Sequence, residues 1–138
     1  MRMLRICAAL MIVSFGSLAS AAAEDVLGNW RDAKSGAVCA IYNCAGGICV
    51  KVLRPATEFA KDTKNPDLAL RDRPMAGVEI VRGAKKSDAK TWKGQLYNSE
   101  DGGTYSGSIT LISKDELQLQ GCVLGGLICQ TRVWKRAS

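Results

Sequence analysis

The chain has 138 residues, with 19 Lys and Arg against 13 Asp and Glu, a net charge of +6, six cysteines and no histidine. The missing histidine removes the commonest general base and the commonest metal ligand. The basic residues are spread along the chain apart from Arg82 to Lys90, so no nucleic-acid footprint is visible, and the length suits one domain.

Arg2 and Arg5 open the chain, Ile6 to Leu18 is a short apolar run, and Ala19-Ser20-Ala21-Ala22-Ala23 offers small residues for cleavage. Residues 1–23 read as a secretory signal peptide cleaved before Glu24, because the run is too short to span a bilayer permanently. Cys7 lacks the small-residue box of a lipid anchor. Residues 24–138 are then a single exported domain, with +6 lowered to +4 by the loss of Arg2 and Arg5 and with no further apolar span.

Gly28-Asn29-Trp30 starts the first strand, and Arg31 to Gly36 reads as a polar turn. Ala37 to Asn43 and Ile48 to Leu53 make a hairpin that Pro55 ends. Ala56 to Pro74 has no period-two pattern. Within it, Asn65-Pro66 reads as a cap and first helical residue, with about one turn over Asp67 to Arg71. Met75 to Arg82 is a strand, Gly83 to Lys90 a turn and Thr91 to Asn98 the next strand. Tyr105, Gly107, Ile109 and Leu111 alternate with Thr104, Ser106, Ser108 and Thr110, which means one buried and one wet face. Leu117 and Leu119 alternate with Gln118 and Gln120 in the same way. Regular strands of this spacing, about eight of them, predict an all-β antiparallel sandwich or barrel with one short helical excursion, and eight strands closed up-and-down would enclose room for side chains or one small ligand.

Export permits disulfides. A Gly46-Gly47 hairpin loop sets Cys44 opposite Cys49 in a non-hydrogen-bonded pair, where side chains approach most closely. A Gly125-Gly126 loop sets Cys122 opposite Cys129 in the looser hydrogen-bonded type. Bridges are expected at both, leaving Cys39 as a buried, unpaired thiol on the apolar face with Ile41, Val50 and Val52. Zinc is a weaker reading of these cysteines.

The segments Y-N-C-A-G-G-I-C-V-K-V, D-T-K-N-P-D, R-P-M-A-G, W-K-G-Q-L-Y-N-S-E-D-G-G-T-Y and G-C-V-L-G-G-L-I-C-Q-T-R-V-W-K-R, spread from Val26 to Arg136, resemble the exported bacterial family called domain of unknown function 2147. The chain departs from its pattern at Asn98-Ser99-Glu100, where the family commonly has a central proline, and Cys39 looks like an added thiol. The resemblance implies a periplasmic or secreted protein and no particular reaction. The chain is also similar to calycin barrels, which include lipocalins, in its G-x-W at the first strand and its basic residue beside an aromatic at the last. That implies a packed pair of Trp30 with Arg132 or Arg136.

The Gly125-Gly126 register, extended, pairs Leu117 with Trp134, Leu119 with Arg132 and Gly121 with Gln130, and so places Arg132 and Gln130 inside. A buried arginine needs partners. A pocket in which Arg132 and Gln130 hold a ligand's carboxylate or polar head, with room above Gly121 and a contribution from Trp30, is one reading. Stacking of Arg132 on Trp30, or a bulge after Cys129 that exposes both polar residues, are the others.

Asp62, Asn65 and Asp67 read as turn and cap residues rather than a calcium loop. Asp72 reads as a pin for the long loop, and Glu100-Asp101 as hairpin chemistry. Ser106 and Ser108 have no histidine to activate them. No catalytic residue, metal or cofactor is expected. The partner is a small amphipathic ligand or an envelope protein. The leading expectation is a non-enzymatic binding protein. The alternative is an interaction or envelope-stress module with a filled barrel and exposed apolar loops.

Overall fold

A computed structural model of the chain describes residues 25–138. The expected signal peptide, residues 1–23, lies outside the described residues. Eight strands run antiparallel, each bonded to the next: β1 (Gly28–Asp32), β2 (Val38–Cys44), β3 (Gly47–Arg54), β4 (Glu79–Lys86), β5 (Thr91–Asn98), β6 (Gly103–Ser113), β7 (Glu116–Val123) and β8 (Ile128–Arg136). β8 returns to pair with β1 and closes the barrel. No described helix is long and apolar enough to cross a membrane.

The alternating faces hold. Ile109 and Leu111 of β6, Leu117 and Leu119 of β7 and Trp134 of β8 are buried inside, with Val50, Val81, Trp92 and Leu96 across from them. The β7–β8 register is the one expected from the sequence, residue for residue, and carries no bulge.

Three expected boundaries move, each for a local reason. The β2–β3 loop is Ala45-Gly46, both at positive φ, so Cys44 faces Gly47 and Cys49 faces Tyr42. Gly47 belongs to the strand because the Ala84 carbonyl of β4 packs against it: a Cβ there would sit 2.2 Å from that oxygen. The shift is two residues, so the faces are unchanged. β1 runs on to Asp32, where a turn was expected. β4 starts later than Met75 and extends to Lys86, because Gly83, at φ +68, lets the strand bulge and continue.

The end nearest the N-terminus is closed. Trp30 is wholly buried and donates its indole N–H to the Val26 carbonyl at 2.9 Å. The Arg136 guanidinium lies 3.9 Å from the Trp30 ring centroid. Arg136 also donates to the carbonyls of Leu27 at 2.7 Å and Lys114 at 2.8 Å, and to that of Asp25. One planar cation thus ties the entering chain, the β6–β7 turn and the last strand together. Arg136→Ala should lower stability by about 3 kcal/mol, from lost stacking and charge-assisted bonds. Arg136→Lys should recover less than half, since an ammonium cannot reproduce the fork. Urea midpoints of the three proteins check this.

Candidate functional site

In an up-and-down barrel, alternate loops share an end. The loops after β1, β3, β5 and β7 therefore surround the end opposite Trp30. They frame a cavity of about 570 Å³ that runs down the barrel. Its wall is mostly apolar: Cys39, Val52, Met75, Leu96, Leu119 and Trp134 contribute to it.

Arg132 projects into this cavity, as the β7–β8 register requires. It is not stacked on Trp30, and no bulge turns it outward. Its two terminal nitrogens reach Asp32 at 2.6 Å and Glu100 at 2.8 Å. Burial works against its charge, but the hydrogen bond and charge of Glu100 and the charge of Asp32 more than compensate and raise its pKa. Asp32 is fixed in turn by the Ser35 hydroxyl and the Lys34 backbone N–H, both at 2.9 Å. The partners that a buried arginine needs are thus supplied by the protein. The site therefore presents no free cation to a ligand carboxylate, the head group that one of the three sequence readings named beside a polar one.

Gln130 and Gly121 also line the cavity, Gln130 at the solvent-exposed mouth. A Cβ on Gly121 would meet only Tyr105, at an ordinary 3.5 Å. Trp30 does not line it. It is buried in the closed end, so its expected part in ligand contact is corrected: its partner is Arg136, and its role is to plug the barrel. Cys39 is buried and unpaired, as expected. Burial, with a smaller push from the Asp32 charge, raises its thiol pKa to about 12, so it behaves as a small apolar group.

Both expected disulfides are present, Cys44–Cys49 and Cys122–Cys129. They suit an oxidising compartment. The Cα atoms of Cys122 and Cys129 are 4.1 Å apart, the spacing of the closer pair type rather than the looser one expected. The four-residue turn Leu124 to Leu127, in place of a two-residue loop, accounts for the difference. No group of residues suited to a metal occurs among the described residues.

The long loop between β3 and β4 forms one side of the mouth. Asp62, wholly buried, holds it there, accepting from the Tyr97 hydroxyl at 2.5 Å, the Asn65 amide at 2.8 Å and Arg73 at 2.8 Å. Asp72, expected to do this, is almost fully exposed and meets only Lys61. The helical turn is a 3₁₀ turn over Leu68–Leu70 capped by Asp67 rather than Asn65, whose side chain instead accepts the Asp67 N–H. Sequence reading gave Asp62 a local turn role and missed its bond to Tyr97, because nothing local pairs residues 35 apart. It missed Asp32 despite an available signal, since Asp32 lies two residues beyond Trp30 on the same face.

This is the architecture of a calycin-type barrel: eight strands closed up-and-down, plugged at one end by a tryptophan–arginine pair and hollow at the other. The chain belongs to the family described as "Uncharacterized protein conserved in bacteria (DUF2147)", whose model matches residues 28–136. Among solved structures it is similar to protein HP1028 from the human pathogen Helicobacter pylori, described as belonging to the lipocalin family. The identity is 23%, the match covers 82% of this chain and 83% of that one, and the TM-score is 0.73. At that identity the likeness concerns the fold. No curated protein sequence matches the chain.

Burial pushes the Asp62 carboxyl up, but the bonds from Tyr97, Asn65 and Arg73 outweigh it and hold its pKa below the ordinary value. A lowered folded pKa adds stability above the unfolded value of about 3.9 and loses it as pH falls through the folded one. Asp62→Asn should therefore cost about 2 kcal/mol at neutral pH, and the deficit should shrink as acid protonates the wild-type carboxylate. Urea midpoints of both proteins across an acid series test the sign.

Proposed function

We propose that this protein is a non-enzymatic binding protein that takes a small amphipathic molecule into the open end of its barrel. The observation that carries this is the cavity of about 570 Å³, apolar in its depth and bordered by a few fixed polar groups. Pockets of roughly 300–1,000 Å³ with that division suit small-molecule ligands. The disulfides and the lipocalin-like fold support export and carriage. No histidine is present, and the cavity carboxylates are already bonded to Arg132, Tyr105 and backbone N–H groups, so none is poised for acid–base work.

A second reading, a protein-interaction or envelope-stress module, is favoured by the exposed apolar side chains Phe59, Leu124, Leu127 and Ile128 on the loops and strand end at the mouth. Phe59 is 85% exposed and sits at φ 62, an uncommon conformation for a bulky residue. A carrier must also touch the surface it loads from, so the rim suits both readings. The interaction module needed a filled barrel, and the open interior favours the carrier.

Gly121→Leu places a side chain in the cavity without crowding the backbone. It should weaken binding of the neutral fluorophore N-phenyl-1-naphthylamine by about tenfold or more, a loss of roughly 1.4 kcal/mol. The thermal midpoint should stay within a few degrees of wild type. Fluorescence titration and melting of the two proteins make the comparison.

A further inference from the structure

Resting on the reading of the cavity as a binding site, we propose the class of its ligand: an amphiphile with an uncharged head bearing hydroxyl or amide groups, and not a carboxylate. The charged residues facing the cavity are Asp32, Glu100 and Asp101 against Lys61 and Arg132. Carboxylates are therefore in excess. Lys61 is drawn to Asp72, 3.2 Å away, which is not part of the cavity wall.

Both terminal nitrogens of Arg132 are engaged, by Asp32 and Glu100. Asp32 cannot swing aside, because Ser35 and the Lys34 N–H hold it. A ligand carboxylate that reached one of the remaining Arg132 N–H groups would settle beside Asp32 and Glu100, whose like charges repel it. Asp101 offers nothing better, since the Gly103 N–H and the Tyr105 hydroxyl occupy its oxygens. An ammonium head finds the Asp32 and Asp101 oxygens each carrying a bond already, and the Glu100 oxygen that carries none belongs to a side chain 62% exposed at the rim, where water screens its charge.

Neutral polar groups remain open. Trp134 is a residue of the cavity wall, and its buried indole N–H has no hydrogen-bond partner among the described residues. An orphaned donor of this kind costs free energy that an acceptor oxygen on a ligand would recover. Gln130 at the mouth adds both an amide donor and an acceptor. A hydroxyl, ester or amide head satisfies these groups without adding charge, while the tail lies against Val52, Met75, Leu96 and Leu119.

The experiment is competition against bound N-phenyl-1-naphthylamine on the folded protein at neutral pH, with monododecanoylglycerol and dodecanoate, which share one acyl chain. The glycerol ester should compete about tenfold or more better than the carboxylate. Glu100→Gln, on an exposed turn, removes one excess charge and should narrow that gap by about threefold or more. Dodecanoate that competes as well as the ester, or a gap that Glu100→Gln leaves unchanged, overturns the ligand class while leaving the carrier reading intact. Failure of the naphthylamine and of both competitors to bind overturns the carrier reading itself, and the ligand class with it.

Discussion

Arg136 laid over Trp30 is the contact on which the rest of the molecule depends. To reach that ring and the carbonyls of residues 25, 27 and 114, β8 must lie beside β1, and that pairing closes the sheet on itself. Closure removes both sheet edges, which would otherwise be open to pairing with other chains. It also seals one end with a large, wholly buried side chain. A closed eight-stranded barrel has little spare interior, so a plug at one end leaves whatever space exists at the other.

The open end is kept in shape by charges that are buried and paired. Asp62 draws the long loop onto Tyr97 of β5, and burial together with that bond raises the tyrosine pKa to about 12, so it stays a donor. Arg132 spans the cavity wall between Asp32 of β1 and the β5–β6 turn. Buried ion pairs contribute little net stability, but removing one partner is costly. These groups therefore fix where loops sit more than they add to the folding free energy. The same pairing sets the polarity of the cavity, since an arginine that already holds two carboxylates has little to offer a third.

Where strands are regular, the sequence was readable in detail. The alternation along β7, carried across the Gly125-Gly126 turn, placed Arg132 and Gln130 inside because β7 and β8 pair without a shift. The cysteine pairs were readable too, although the β2–β3 loop lies one residue earlier than the glycines suggest. Gly47 answers to the Ala84 carbonyl of a different strand, and a hairpin read in isolation does not reveal that. Gly83 looked like a turn and is a bulge, for the same reason: a glycine marks a backbone need without saying which. The long loop was the least legible segment, because its fold is written in contacts between Asp62, Arg73 and Tyr97 that no periodicity links. Trp30 was rightly paired with an arginine of the last strand by the calycin resemblance, and only its added part in ligand contact was wrong, because the ring that meets Arg136 lies at the plugged end and off the cavity wall.

The most direct measurement uses the tryptophans as reporters. Indole N–H resonances of ¹⁵N-labelled protein can be followed while monododecanoylglycerol is added. A ligand held in the open cavity moves the Trp134 indole signal saturably and leaves that of Trp30, bonded to Val26 within the plug, in place. A Trp134 signal that does not move at saturating ligand, or shifts confined to the outer surface, would contradict the account.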